Sequence, residues 1–143
     1  MRTPTRILVL GAGATGGYFG GRLLEAGHEV SFLVRPQRAS VLRKTGLVIH
    51  SPEGIARLEP ELVLAERLKG TYDLIILSCK AYDLDSAMEA VAPAVGKETA
   101  ILPLLNGLKH YETLDARFGA ERVLGGLCSI AVTVGEEIGR AHV

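Results

Sequence analysis

Apolar residues in this chain occur in short continuous runs that end at a glycine or a polar residue. Four such runs lie at residues 7–10, 29–33, 72–80 and 99–105. Runs of this length with little polar alternation are typical of strands buried on both faces of a parallel sheet. Helical segments are predicted between them, ending near residue 25, over 36–44, ending near 91, and over 109–118. This alternation of strands and helices predicts an α/β fold.

Two regions depart from the simple alternation. Residues 47–50 and 55–58 are joined by Ser51-Pro52-Glu53-Gly54, which predicts a β-hairpin. The segment from Glu61 to Lys69 is short and amphipathic. From Val123 to Val134 the chain is apolar and β-branched, which predicts one or two strands, and another strand is expected to begin within residues 137–143.

The first run leads into a glycine-rich turn of the form Gly-x-Gly-x-x-Gly, followed by a helical segment and a second strand. In such a strand–turn–helix unit, Gly11 makes the tight turn, Gly13 lets a pyrophosphate approach the main chain, and Gly16 allows close helix packing. The helix N-terminus then directs free N–H groups at the phosphates. We therefore predict a Rossmann-like, doubly wound, mostly parallel sheet with a β-hairpin excursion. The predicted pyrophosphate-binding residues are Gly11, Ala12, Gly13, Ala14, Thr15 and Gly16.

The alternative for this motif is a structural glycine turn without a ligand. A strand on one side and a helix on the other favour the dinucleotide site, because a bare glycine pattern is common. A nucleotide-triphosphatase phosphate loop is excluded, since no Gly-Lys-Ser/Thr follows the glycines.

The second strand ends at Arg35, where this fold meets the ribose of the adenosine half of a dinucleotide. An acidic residue there would bind a 2′-hydroxyl and repel a 2′-phosphate, whereas an arginine does the opposite. No Asp or Glu occurs between Val30 and Gly46. We therefore predict NADP rather than NAD; the alternative is that Arg35 and Arg38 are ordinary solvated charges.

Polar residues also follow the third and fourth predicted strands. Lys80 and Asn106 lie at carboxyl ends of strands, where open parallel sheets bind their ligands. Lys80 either reaches cofactor oxygens or is solvated. Asn106 either holds a carboxamide, ribose or carbonyl oxygen or forms an Asn-Gly turn. The residues alone leave these alternatives open.

The composition of the chain argues against several classes of binding partner. The 143 residues are 48% hydrophobic, and 16 basic residues balance 16 acidic ones, which fits one domain with a sizeable core and gives no electrostatic basis for nucleic acid or membrane binding. Aromatic residues make up only 5%, so base-stacking surfaces are not expected. Cys79 and Cys128 lie in apolar runs and are read as buried thiols, and no metal site is predicted. His50 is read as a surface strand residue.

The N-terminus resembles a targeting signal in one respect. Arg2 and Arg6 precede an apolar run that includes residues 7–10, as in a secretory signal. However, the run is short, and cleavage there would destroy the glycine-turn unit. No apolar run approaches the roughly 18 residues of a membrane span. The expectation is a cytoplasmic protein.

Taken together, four motifs resemble the ketopantoate reductase (2-dehydropantoate 2-reductase) family. The hairpin region and the segment from Gly125 to His142 are similar to the same family, so the resemblance covers essentially the whole chain. The lysine and asparagine motifs, in order after the glycine turn, are more specific than the turn itself. The four motifs are the glycine turn, Leu33-Val34-Arg35, Cys79-Lys80-Ala81-Tyr82-Asp83-Leu84 and Leu105-Asn106-Gly107.

The resemblance implies an oxidoreductase that uses NADPH to reduce ketopantoate to pantoate, in pantothenate and coenzyme A biosynthesis. It assigns Arg35 to the 2′-phosphate, Lys80 to the ribose-phosphate region, and Asn106 to the nicotinamide side and the substrate. It also places Ala131 near the nicotinamide. The expected partner is a small 2-oxo acid.

The family also has a second, mostly helical domain that carries the general-acid lysine and most substrate contacts. No lysine follows Lys109 in this sequence, so none here matches that acid. We therefore expect residues 1–143 to be a single NADP-binding domain, truncated before the helical one. We expect it to turn over ketopantoate negligibly and to self-associate through an exposed interdomain face.

Two other classes of function remain open at this point. One is a different reductase with a similar first domain: a reductase of another 2-oxo acid, or a 3-hydroxyacid, opine or glycerol-3-phosphate dehydrogenase. The lysine and asparagine motifs disfavour the last three. The other is a non-enzymatic NADPH-binding module that senses the cofactor or regulates a partner.

Overall fold

The structure is a computed structural model. It describes residues 5–11, 14–78, 83–104, 109–124, 133–134 and 140–142.

The described residues form strands and helices that alternate as the apolar pattern predicts. The strands are β1 (Arg6–Leu10), β2 (Glu29–Leu33), β3 (Leu47–Ser51), β4 (Gly54–Leu58), β5 (Glu61–Val63), β6 (Leu74–Leu77), β7 (Ala100–Pro103), β8 (Thr133–Val134) and β9 (Arg140–His142). The helices are α1 (Ala14–Glu25), α2 (Pro36–Thr45), α3 (Leu84–Val91) and α4 (Lys109–Phe118).

Five of the described strands form a parallel sheet in the order β5-β2-β1-β6-β7. At its centre, Ile7 of β1 lies opposite Val30 of β2 and Leu74 of β6. The order reverses on either side of β1, which is the topological switch point of doubly wound folds. The predicted Rossmann-like parallel sheet is confirmed.

Helices cover both faces of this sheet. Leu8 of β1 packs in one buried cluster with Leu84 and Met88 of α3 and Leu114 of α4. Its neighbour Val9 belongs to a second cluster, which includes residues of α2 and β3 on the opposite face. Because successive side chains of a strand point to opposite faces, the continuous apolar runs supply two cores at once.

The predicted hairpin is confirmed, and it belongs to a second sheet. Leu47 pairs with Leu58 across the hairpin. The described strands of this sheet follow the order β4-β3-β9-β8, in which β9 runs parallel to β3 and antiparallel to β8. The excursion is therefore completed by residues almost a hundred positions away along the chain.

Helix α1 contacts both sheets through adjacent glycines. A Cβ at Gly20 would lie 2.6 Å from the Phe32 ring, and a Cβ at Gly21 would lie 2.6 Å from Ile49 Cδ1. Phe32 is a fully buried residue of β2, whereas Ile49 lies in β3. The absence of side chains at these two positions lets the helix pack closely against both sheets, which compensates for their low helix propensity.

The segment from Glu61 to Lys69, for which the sequence predicts no strand, contains β5. Ser31, Phe32 and Leu33 of β2 pair with its three residues in parallel register. A short 3₁₀ turn at Ala65–Arg67 follows it.

None of the helices among the described residues has the length and apolar character that a membrane span requires.

Candidate functional site

The carboxyl ends of the central strands meet at one edge of the parallel sheet. The Gly11 amide donates a hydrogen bond to the Leu33 carbonyl (3.0 Å), which ties the glycine turn to the end of β2. On the other side of β1, the Ser78 amide donates to the Leu10 carbonyl (3.3 Å). The Leu104 amide donates to the Leu77 carbonyl (2.8 Å), so the end of β7 lies beside the end of β6. This is the edge at which open α/β sheets bind ligands.

Gly11 adopts a backbone conformation that side chains disfavour. Its φ is +88°, in the left-handed region, and a Cβ there would lie 3.0 Å from the Ser78 carbonyl oxygen. The chain therefore turns sharply off β1 at a point where β6 leaves no room for a side chain. This confirms the tight turn predicted for Gly11.

Gly16 brings the first turn of α1 against the glycine turn itself. A Cβ at Gly16 would lie 2.6 Å from the Gly11 carbonyl oxygen and 3.0 Å from Ser78 Cβ. Backbone atoms cannot give way as the end of a flexible side chain can, so only glycine fits here. The close packing predicted for Gly16 is confirmed.

The start of α1 has the electrostatic character that an anionic ligand requires. The helix begins at Ala14, with Thr15 next, and no acidic residue lies in its first turn. The first turn of α1 therefore supplies no carboxylate that would neutralise the positive end of its own dipole. Gly11 and Gly16, where the structure leaves no room for a side chain, thus lie next to a helix N-terminus that suits an anionic group.

Ser78 is a contributor to this site that sequence reasoning did not identify. Its carbonyl oxygen and side chain form the surface on which Gly11 and Gly16 pack. The only sequence signal is its position, a small polar residue directly after the buried strand β6. Nothing local in the sequence indicates the contact.

Arg35 lies where the sequence predicts it, just beyond the end of β2. It is exposed and occupies the N-cap position of α2, with extended backbone angles and Pro36 as the first helical residue. The first turn of α2 also lacks an acidic residue. Arg38, in that turn, is half-buried, and its burial lowers the pKa of the guanidinium from its ordinary value.

Several predicted site residues lie outside the described part of the chain: Ala12, Gly13, Lys80, Asn106 and Ala131. In sequence, the described residues nearest to Lys80 and Asn106 are Ser78 and Leu104. Both lie at the carboxyl edge of the parallel sheet. The roles of these five residues stay predictions. Among the described residues, no cluster of three or more His, Cys, Asp or Glu side chains could hold a metal ion.

His110 is a buried titratable group in the first turn of α4. Only 4% of its surface is exposed, and its buried Nε2 atom has no hydrogen-bond partner among the described residues. Its ring lies 4.3 Å from that of Tyr111, centroid to centroid. Burial lowers the pKa of His110, because the low-dielectric surroundings disfavour the imidazolium.

This burial predicts acid sensitivity. The unfolded chain binds the histidine proton with a pKa of about 6.5. The folded chain binds it less readily, so protonation favours unfolding and stability falls as pH drops below about 6.5. A His110→Leu variant is expected to lose less thermal stability than the parent between about pH 7.5 and 5.5, which thermal denaturation at several pH values would measure. Equal losses in the two proteins would contradict this role.

Comparison with known proteins finds oxidoreductases of similar sequence and structure. A family model described as "Ketopantoate reductase PanE/ApbA" matches residues 7–142. An uncharacterized oxidoreductase of Bacillus subtilis is 52% identical over 125 residues, which cover 87% of this chain and 41% of that protein. The chain therefore spans less than half the length of this relative.

Solved structures of similar fold are also those of oxidoreductases. The 2-dehydropantoate 2-reductase of Geobacter metallireducens is 34% identical with a TM-score of 0.86, over 96% of this chain and 45% of that one. A D-mandelate dehydrogenase, solved with NADH and anilino(oxo)acetate, is 25% identical with a TM-score of 0.85, over the same shares of the two chains. The parallel sheet described above thus belongs to a fold that these oxidoreductases share.

Proposed function

This chain belongs to the ketopantoate reductase family, and from that premise we propose that it is the NADPH-binding part of an enzyme that reduces ketopantoate to pantoate. The observation that carries the proposal is the close packing of Gly16 on Gly11 at the carboxyl edge of the sheet. That packing brings the N-terminus of α1 next to the end of β1, where its free N–H groups can bind a diphosphate. Arg35, one strand over, supports NADP as the cofactor.

The proposed roles follow the order of the strands. Residues 11–16 hold the pyrophosphate, Arg35 pairs with the 2′-phosphate, and Lys80 contacts the ribose-phosphate region. Asn106 positions the nicotinamide side and the substrate, because an amide both donates and accepts hydrogen bonds. Family resemblance assigns Ala131 to the surroundings of the nicotinamide. When bound, the reduced cofactor supplies a hydride to the carbonyl carbon of the 2-oxo acid.

Reduction of a carbonyl also needs a proton donor for the developing alkoxide. Family resemblance assigns that role to a lysine that has no counterpart after Lys109 in this sequence. We assign the general acid to the part of its relatives' length that this chain does not span. Turnover of ketopantoate by residues 1–143 is therefore expected to be negligible.

A second candidate is reduction of a different 2-oxo acid. It is favoured by the D-mandelate dehydrogenase neighbour, which was solved with an oxoacid-type ligand and is similar over nearly the whole chain. The Bacillus relative is an uncharacterized oxidoreductase, so it is compatible with either substrate. Both candidates share the cofactor-binding role of this chain and differ in the residues that contact the substrate.

Titration calorimetry tests the shared role. The 143-residue chain, shown to be folded by far-UV circular dichroism, is expected to bind NADPH more tightly than NADH because Arg35 pairs with the extra phosphate. In parallel, NADPH absorbance in the presence of ketopantoate is expected to stay constant. Absence of heat with both cofactors would overturn the proposal. Rapid loss of absorbance would overturn the assignment of the general acid to the part of the relatives' length that this chain does not span.

A further inference from the structure

Helix α1 connects the proposed diphosphate site with the second sheet, β4-β3-β9-β8. Its N-terminus borders the glycine turn, and its middle packs against the sheet. A Cβ at Gly21 would lie 2.6 Å from Ile49 Cδ1 of β3, and the backbones of β8 and β9 also lie against the helix. The packing of α1 on this sheet therefore sets where the sheet lies relative to the proposed diphosphate site.

The Arg22 side chain joins α1 to this sheet by a hydrogen bond. Its Nη2 atom donates to the Ser51 hydroxyl at 3.1 Å, in a partly buried position. Ser51 is the last residue of β3, and its Oγ atom accepts from the Glu53 amide (3.3 Å) and donates to the Gly54 carbonyl (3.4 Å). Because the hairpin turn fixes this hydroxyl, the bond from Arg22 holds the helix to a defined point on the sheet.

The Arg22 guanidinium is also held within its own helix. Its Nη1 atom donates to Glu25 Oε1 at 2.7 Å, and its central carbon lies 5.3 Å from the centroid of the Tyr18 ring. The hydrogen bonds to Glu25 and Tyr18 raise the pKa of Arg22 above its ordinary value. These two partners lie on the same helix face as Arg22, so they orient its side chain and reduce the entropy lost in reaching Ser51.

The hydrogen bond to Ser51 lies at the end of the second sheet where β8 begins. Ser51 directly follows His50, which pairs with His142 of β9. In turn, His142 pairs with Thr133, the first residue of β8. Ala131 precedes Thr133 by two residues in sequence. Since consecutive Cα atoms are about 3.8 Å apart, the Cα atoms of these two residues lie within about 8 Å of each other.

We propose that Arg22 is a positioning residue, which joins α1 to the end of β3 and so sets the distance between the diphosphate site and the chain around Ala131. This inference rests on the proposed function, which assigns Ala131 to the surroundings of the nicotinamide. The two halves of a dinucleotide are covalently joined, so a protein that binds both halves must hold its two subsites at a matching distance. Arg22 acts through the second sheet and not by contact with the cofactor.

Calorimetry on the 143-residue chain, with whole cofactors and a fragment, tests this role. Arg22→Met keeps a long side chain but cannot donate to Ser51. It is expected to weaken NADPH and NADH binding alike, by about 5- to 10-fold, because both cofactors carry the nicotinamide. Adenosine 2′,5′-bisphosphate lacks the nicotinamide, so its affinity is expected to change less than about 2-fold. A general structural defect would instead weaken all three ligands.

Two variants serve as controls. Glu25→Gln removes the ion pair within α1 but leaves the donor to Ser51 in place, so no ligand is expected to lose affinity. Arg22→Lys retains a charged donor on a long stem and is expected to recover part of the affinity for both cofactors. The fluorescence of the reduced nicotinamide responds to its surroundings. Its change on binding is expected to be smaller in Arg22→Met than in the parent or in Glu25→Gln.

A double-mutant cycle tests whether the hydrogen bond itself carries the effect. Ser51→Ala removes the acceptor from the β3 side, and it carries the same test if Arg22→Met does not fold. The double variant Arg22→Met/Ser51→Ala is expected to weaken NADPH binding no more than Arg22→Met alone, because either change already breaks the bond. Additive losses would contradict the inference.

The outcomes also separate this inference from the proposed function. If Arg22→Met and Ser51→Ala keep the parent's affinity for NADPH, or weaken the fragment as much as the whole cofactors, Arg22 does not position the nicotinamide side and the inference fails. In that case, binding of NADPH by the parent still supports the proposed function. If the folded parent binds neither cofactor, the proposed function itself fails.

Discussion

Gly16→Ala is expected to weaken NADPH binding by roughly 100-fold or more and to lower the free energy of unfolding by about 1–3 kcal/mol. The added methyl group would lie 2.6 Å from the Gly11 carbonyl oxygen and 3.0 Å from Ser78 Cβ. Gly11 belongs to the turn itself, and Ser78 directly follows the strand β6 beside it. The helix must therefore move away, which takes its N–H groups out of position for the diphosphate. Calorimetry and thermal denaturation measure the two effects.

Gly20→Ala on the same helix is the matched control. Its Cβ would meet the Phe32 ring at 2.6 Å and Val9 Cγ2 at 3.0 Å, so this variant also overpacks the core. The clash falls on side chains of β1 and β2, away from the glycine turn. Comparable destabilisation is expected, with NADPH affinity nearly retained in the folded fraction. If both variants lose affinity equally, the cofactor does not depend on the contact between Gly16 and Gly11.

The parts of the fold that the sequence predicts are those with local signals. The apolar runs reveal the buried strands, and the Pro52–Gly54 turn reveals the hairpin, because in each case the informative residues are neighbours. The pairing of β3 with β9 has no such signal: Ile49 meets Ala141 only through tertiary structure. Strand β5 has only three residues and follows Pro60, which is too short for a period to be recognised.

The same division holds for the candidate site. The roles of Gly11 and Gly16 can be predicted because the turn, the strand and the helix are continuous in sequence. Ser78 directly follows β6 and is more than sixty residues away from these glycines in sequence. It contacts them only because β6 pairs with β1 in the sheet. The sequence does not predict that Arg38 is half-buried, because burial is a property of the folded chain.

The sequence predicts the proposed diphosphate site, but it does not predict which residues contact the substrate. Main-chain turns and helix ends bind the diphosphate, and these are encoded by glycines within one βαβ unit. Contacts to a small substrate usually come from side chains of separate segments, and this chain spans 41% of the length of its Bacillus relative.

Arg35→Asp is expected to give the second large effect, a change in cofactor preference. Loss of a charged hydrogen-bonding partner costs about 1.5–3 kcal/mol, and the new carboxylate repels the 2′-phosphate, so NADPH affinity is expected to fall roughly 100-fold. NADH lacks that phosphate, and an acidic residue at the end of the second strand can accept hydrogen bonds from its ribose hydroxyls. Its affinity is therefore expected to change much less.

Arg43→Asp supplies the control, because it makes the same change of two charge units at an exposed position on α2. If the effect of Arg35→Asp were only long-range electrostatics, the Arg43 variant would weaken NADPH binding to a similar extent, and added salt would remove the effect in both. A direct contact instead predicts that only the Arg35 variant reverses the order of the two dissociation constants. Equal weakening of NADPH and NADH by Arg35→Asp would show that Arg35 does not meet the 2′-phosphate, and NADP preference would then have to come from another residue at this edge of the sheet.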